Sequence, residues 1–117
     1  MPASTPQEIH LLFEQAFNDG DVEAIVALYE PGAVLVVGGE PVAGHGRIRD
    51  VYTSLLVGAR MKLDTRAVIE SGEGLALLYG TWSLGPPSGT QGLSTEVVRR
   101  QPDGSWMFAI DNPNTPR

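Results

Sequence analysis

The chain contains no cysteine, which excludes disulfides, a thiolate nucleophile and any sulfur-ligated metal centre. Histidine is scarce: His10 and His45 are the two residues of that type. They stand far apart in sequence with no HExxH spacing, so no metal is expected. Positive charge is thin as well. Eight Lys and Arg stand against fourteen Asp and Glu, a net charge of −6. Basic residues gather only at Arg47 with Arg49 and at Arg99 with Arg100. Nucleic-acid binding draws on clustered cations, so no nucleic acid is expected as a partner. No apolar run nears the roughly 18–20 residues that cross a bilayer. The start, MPASTPQEIH, lacks the basic and apolar segments of a secretory leader. No membrane partner is expected, and the cytoplasm is the expected compartment. The serines lack a G-x-S-x-G setting, and Gly38-Gly39 lacks the phosphate-loop pattern. No cofactor is expected.

What is present is ordinary for a soluble globular protein: 117 residues, 42% hydrophobic and 19% charged. That length supports one domain, residues 1–117, able to bury its own core. Thr5-Pro6-Gln7-Glu8 reads as a capping box with proline at the first helical position. Ile9, Leu12, Phe13, Ala16 and Phe17 then recur at helical spacing until Asn18-Asp19-Gly20. His10 falls off that stripe and is expected in solvent. Asp21 caps a second helix with Val22, Ile25, Val26 and Tyr29 on one face, ended by Pro31-Gly32. Residues 33–37 form a short strand closed by Gly38-Gly39. A third helix fits residues 47–56, with Ile48, Val51, Tyr52, Leu55 and Leu56 on one side.

From Arg60 the period changes to two. Met61, Leu63 and Thr65 alternate with Lys62, Asp64 and Arg66, the pattern of a half-buried strand. Ser71-Gly72-Glu73-Gly74 turns the chain into a strand over residues 75–84. A loop over residues 85–92, with Pro86-Pro87, leads to a terminal hairpin. Its strands, 93–101 and 106–111, flank Pro102-Asp103-Gly104-Ser105. Helices followed by antiparallel strands imply an α+β fold. Three helices pack on one face of a curved, mostly antiparallel sheet and enclose an apolar pocket.

GDVEAIVALYEPGAVLV, Gly44 and Ile48 followed by Tyr52, and the hairpin RRQPDGSWMFAIDNP resemble the SnoaL-like branch of the nuclear transport factor 2 (NTF2) superfamily. The resemblance runs from about Ile9 to Pro113. It implies the NTF2-like cone fold, and a function that must be argued from the site because that superfamily holds many chemistries. Compared with its ketosteroid isomerases, the general-base aspartate falls at or next to Val37, and the oxyanion tyrosine falls on Phe13. Two supporting tyrosines match Tyr29 and Tyr52, and the second acid matches Glu96. A buried carboxyl kept neutral in that isomerase is a known pattern. With two principal roles missing, a standard ketosteroid isomerase is not expected.

The same register turns Met61, Leu63, Thr65, Leu78, Trp82, Ser94, Glu96, Val98, Ala109 and Asp111 inward, to join Phe13, Phe17, Val37 and Leu56 around a hydrophobic ligand. Glu96 is either a solvated strand residue paired with Arg99 or Arg100, or an inward acid raised by desolvation. Asp111 either closes the last strand as an Asx-type turn or joins Glu96 as a dyad. Tyr29 and Tyr52 are core residues or groups that position a substrate. His45 is a plain loop residue or reaches the pocket mouth. Trp106 and Phe108 alternate oppositely to Asp111, so the outer sheet face is expected to carry them into a homodimer. Two functions stay open: a cofactor-independent isomerase, cyclase or hydrolase using Glu96 and Asp111 on a cyclic or polyketide-like ligand, and a non-catalytic ligand-binding or dimerisation module.

Overall fold

The computed structural model describes residues 2–56, 58–85 and 89–114; Pro86-Pro87 of the expected loop lies outside them. Helix α1 (Glu8–Asn18) buries Ile9, Phe13, Ala16 and Phe17, the face that the spacing predicts. Its entry differs from the expected box. The backbone N–H and hydroxyl of Ser4, not Thr5, donate to Glu8 Oε1 at 2.9 and 3.2 Å. Pro6 and Gln7 form a tighter preliminary turn, with Ile9 N–H on Pro6 O and His10 N–H on Gln7 O, which moves the side-chain staple one residue upstream.

Helix α2 (Val22–Val26) is capped by Asp21, whose carboxylate accepts from Ala24 N–H at 3.0 Å. It ends before Tyr29. That residue instead opens strand β1 (Tyr29–Val37), where it pairs in parallel with Phe108. Pro31 cannot donate to a ladder, and it sits where the pairing of β1 shifts between Tyr29 and Val34. Pro31-Gly32 is therefore a strand irregularity and not a helix stop. The turn Gly38-Gly39, with φ of 58° and 82°, has the paired positive values of a type I′ hairpin. It leads into β2 (Glu40–Ala43), a short edge strand. Helix α3 (His45–Leu55) begins two residues earlier than expected, so His45 lies on the helix and not in a loop.

Strands β3 (Met61–Glu70), β4 (Leu75–Leu84), β5 (Gln91–Arg100) and β6 (Trp106–Asn112) complete one sheet in the order β2-β1-β6-β5-β4-β3. Every neighbouring pair is antiparallel except β1 with β6. The sheet is curved and unclosed, with the helices packed against it, so the α+β cone is the observed architecture. No helix among the described residues is long and apolar enough to cross a membrane.

The terminal hairpin corrects one expectation. Val98 pairs with Phe108, but the adjacent Val97 pairs with Ile110. Ala109 is the extra residue of a bulge, and an extra residue reverses the in–out alternation of the strand beyond it. Phe108 and Asp111 are therefore both buried, at 1% and 4% exposure, although strict alternation puts them on opposite faces. Trp106 is buried as well, bonded through its N–H to Ala3 O at 2.8 Å. The outer face carries other side chains. Ile69, Leu77, Val97 and Ile110 are successive cross-strand partners over β3, β4, β5 and β6. Val34 of β1 continues the row beside Ile110.

Candidate functional site

Between helices and sheet lies a cavity of about 350 Å³. Phe13 and Phe17 of α1 form one wall, with Tyr52 and the half-exposed Leu55 of α3 beside them. Met61 and Leu63 of β3 and Trp82 and Leu84 of β4 form the facing wall. Phe108 of β6 reaches the same space and meets Phe13 edge-on, with ring centroids 6.1 Å apart. Trp82 is fixed on both sides. Its indole N–H donates to Pro113 O at 2.6 Å. Its ring lies over its cross-strand partner Gly92, where a Cβ would come within 2.7 Å of Cζ2. Glycine there is a space requirement.

The polar side of the cavity comes from β5 and β6. Ser94, Glu96 and Asp111 all line it and are at most 4% exposed. Glu96 and Asp111 are directly opposite each other in the ladder, a relation that brings Cβ atoms to roughly 5 Å. Two carboxyls that close and that dry cannot both be charged cheaply. Burial, with the Glu96 charge adding to it, pushes the Asp111 carboxyl up to about 8. A hydrogen bond from the Tyr29 hydroxyl to Asp111 Oδ2 opposes the shift without cancelling it. Tyr29 also shares a 2.8 Å hydrogen bond with the Tyr52 hydroxyl. Burial and the Asp111 charge hold both phenols well above their usual range, so they stay protonated donors. At neutral pH the arrangement therefore holds Asp111 as a neutral acid. With Oδ2 accepting from Tyr29, the proton belongs on Oδ1.

Glu96 is tied to a residue that the periodicity put in solvent. His10, 2% exposed, contacts Glu96 Oε1 through Nε2 at 2.9 Å and Thr65 Oγ1 through Nδ1 at 2.7 Å. A carboxylate only accepts, so Nε2 carries the hydrogen whenever Glu96 is ionised. Position 10 lies three and seven residues before Phe13 and Phe17, which is the edge of the buried stripe. The helical spacing is compatible with burial; only the polarity of histidine argues against it. Gly80 makes the approach feasible. It lies between Thr65 and Ser94 in the ladder. A Cβ on it would come within 3.1 Å of His10 Cε1 and 2.8 Å of Ser94 Oγ. A glycine inside a strand marks such close approach.

Ser94 differs from its neighbours. Its Oγ is buried with no hydrogen-bond partner, a state that costs about 1–3 kcal/mol.

A family model described as a SnoaL-like domain matches residues 9–107. The chain belongs to the SnoaL-like domain family. None of the curated proteins matches it. Among solved structures, this SnoaL-like chain is similar to an NTF-2-like protein of unknown function from Shewanella oneidensis MR-1. The two are 19% identical over 93% of this chain and 95% of that one, with a TM-score of 0.82. It is also similar to a ketosteroid isomerase-like protein from Erwinia carotovora atroseptica, at 20% identity over 94% of each chain and a TM-score of 0.72. A proposed dehydratase of the NTF2-like family from Streptomyces avermitilis matches at 21% identity over 94% of each chain, with a TM-score of 0.72. Identities this low speak to the fold.

Within this SnoaL-like fold, several residues expected around the ligand lie elsewhere. Val37 ends β1 beside the Gly38-Gly39 turn and is 39% exposed; it does not line the cavity. Leu78 and Val98 point inward but are fully buried in the core beneath it. Leu56 caps α3 and packs on that core, and Ala109 is taken up by the bulge. Thr65 serves His10 and does not line the cavity. Tyr29 sits behind Asp111 and Tyr52, as the first residue of a strand and not on a helix. Arg99 pairs with Glu30 at 2.9 Å and not with Glu96, while Arg100 lies over the Trp106 ring. His45 Nε2 contacts Tyr29 O at 2.7 Å, so it braces the strand that carries the tyrosine. Among the described residues no group of three or more His, Cys, Asp and Glu could hold a metal.

Proposed function

We propose that this protein is a small acid–base catalyst, of isomerase, cyclase or hydrolase type, acting without a cofactor on a mostly apolar cyclic ligand. One observation carries the reading: an opposed pair of buried carboxyls at the polar side of an apolar cavity, with the Asp111 carboxyl at about 8. Pairs whose environments separate their proton affinities can run acid and base steps in one site. Asp111 gives a proton or a hydrogen bond to a ligand oxygen. Glu96, backed by His10, accepts a proton. Tyr29 and Tyr52 orient the acid.

Turnover of a panel of cyclic ketones and epoxides tests this. Glu96→Gln lowers kcat by a factor of about 10²–10⁴, the usual worth of a positioned acid or base, and Asp111→Asn lowers it similarly. Substrate turnover that survives both substitutions contradicts the reading. A binding module without turnover is the second reading. It is favoured by the fact that both acids already have protein partners, Tyr29 and His10. In that case ligands raise the melting temperature and none is converted.

A second copy of the chain is proposed to cover the outer sheet face. The row from Ile69 to Ile110 supports it, with Ile69 and Ile110 about half exposed. An isologous contact needs one self-complementary patch. Light scattering is expected to give a dimer mass, and Ile110→Lys a monomer with unchanged ligand binding. A wild-type monomer at high protein concentration contradicts the dimer.

A further inference from the structure

Glu96, His10 and Thr65 form one hydrogen-bonded line whose outer end the cavity chemistry does not use. Glu96 Oε1 contacts His10 Nε2 at 2.9 Å, and His10 Nδ1 contacts Thr65 Oγ1 at 2.7 Å. The line starts dry and ends wet: Glu96 and His10 are 4% and 2% exposed, whereas Thr65 is an exposed residue. Its direction is set by the carboxylate. With Glu96 ionised, Nε2 carries the hydrogen, Nδ1 has the lone pair, and the Thr65 O–H donates to it. A hydroxyl against the bare nitrogen of an imidazole that a carboxylate holds from behind is an activated nucleophile. The ring nitrogens are exchanged relative to a Ser-His-Asp triad. No role changes, because either nitrogen takes a proton once the other is fixed as a donor.

The edge of the sheet supplies a backbone donor at the same residue. Strand β3 is an edge strand, and side chains of α1 meet it from successive helical turns. Asn18 Oδ1 accepts from Met61 N–H at 2.7 Å, Glu14 Oε2 accepts from Leu63 N–H at 2.9 Å, and His10 meets Thr65. On the β4 side, Gly85 N–H donates to Arg60 O at 2.9 Å. Even-numbered positions of this stretch therefore bond across the ladder, and odd-numbered N–H groups point away from it. The N–H of Thr65 follows those of Met61 and Leu63. In the serine-protease site the nucleophile's own N–H is one of the oxyanion donors, and Thr65 brings that donor with it. Gly80, across the ladder, leaves the space for the imidazole, since a Cβ there would come within 3.1 Å of His10 Cε1.

We propose that Thr65 is a nucleophile for acyl transfer, with His10 as its general base and Glu96 as the residue that positions the imidazole. Thr65 stands at the surface, outside the cavity, so the acyl group must be small and its leaving group good. Aryl esters and thioesters meet both demands. Oγ1 attacks the acyl carbon as its proton passes to Nδ1; the bond to the leaving group breaks, and that group takes the proton. Water then gives a proton to Nδ1 and adds to the same carbon. Oγ1 is expelled and recovers the proton. The reaction goes beyond the proposed function, because it needs no ligand in the cavity.

The probe is p-nitrophenyl acetate, followed by nitrophenolate release and by mass spectrometry of acid-quenched, digested protein. Wild type is expected to acquire an acetyl group on Thr65. Lys62, the chain's single lysine, reacts independently and serves as the reference. His10→Gln slows acetylation of Thr65 by about 10²–10⁴, the usual worth of a positioned base. Glu96→Gln slows it as well, because a carboxamide can donate to Nε2 and so hold the hydrogen on Nδ1. Lys62 keeps its wild-type rate in both. Thr65→Val abolishes the fast release, and Thr65→Ser restores it. Should His10→Gln fail to fold, Glu96→Gln and the two Thr65 variants decide the matter.

Acetyl on Lys62 with none on Thr65, and release unchanged in Thr65→Val, would overturn the proposal. A Thr65 rate that is the same in wild type, His10→Gln and Glu96→Gln would overturn it too, because it means an exposed hydroxyl reacting alone. None of these results touches the acid–base reading of the cavity, which stands or falls on conversion of cyclic ketones and epoxides.

Discussion

Substituting His10 with leucine is expected to cost about 1–3 kcal/mol of folding stability, the range for leaving a buried polar group without its hydrogen-bond partner. The imidazole fills the space between α1 and the sheet and holds Glu96 at 2.9 Å with both side chains nearly inaccessible. Without it the carboxylate stays buried with its principal partner gone, and Thr65 loses its partner as well. The penalty belongs to the orphaned carboxyl group and not to the contact itself. The double variant His10→Leu/Glu96→Leu is therefore expected to recover most of the loss. Urea denaturation of the four proteins in this cycle measures it. A single-variant cost under about 0.5 kcal/mol, the size of an ordinary surface change, would show that His10 and Glu96 are not coupled.

The second large effect is in the pH dependence of stability. Asp111 is held at about 8 in the folded protein against 3.8 as its ordinary value. Between those values the folded state keeps a proton that the unfolded chain releases. The stabilisation is thus complete below about pH 4 and declines as pH rises, finishing near pH 8. Its slope is about 1.4 kcal/mol per pH unit for one proton. Asp111→Asn removes this titration while keeping shape and an acceptor for Tyr29. The stability difference between variant and wild type is expected to move in the variant's favour by that slope from pH 5 to 8, then level off. Parallel curves would mean that Asp111 is ionised in the folded protein at neutral pH. Titrations common to both proteins cancel in the difference.

The cone is legible in the sequence because its strands announce themselves. The alternation of Met61 and Leu63 with Lys62 and Asp64 puts the apolar members half-buried and the charges outside. Strand β4 runs over the same residues that the turn signals bound. The inward pair Glu96 and Asp111 follows from the same reasoning, yet for Asp111 the parity relative to Phe108 is the reverse of the one that alternation gives. A bulge at Ala109 has no glycine or proline to betray it, and one inserted residue moves an aromatic from one face to the other. Tyr29 departs from expectation for a related reason. The apolar spacing of Val22, Ile25 and Val26 continues into it, and only parallel pairing with β6, a non-local contact, ends the helix earlier. His10 and Gly80 are each silent in the sequence but explain each other. A histidine on the edge of an apolar stripe and a glycine inside a strand become informative once the ladder puts one over the other.

Those corrections sharpen the site. The acid kept neutral is Asp111, held by a tyrosine pair, while Glu96 is held by a histidine. All of the chemistry proposed for the cavity depends on that division of one proton between two opposed carboxyls. Site-resolved 13C NMR titration of the Asp111 carboxyl carbon tests it directly. The expected midpoint lies near 8 in wild type and falls in Glu96→Gln, where the neighbouring charge is gone. A midpoint near 4, unmoved by Glu96→Gln, would contradict it.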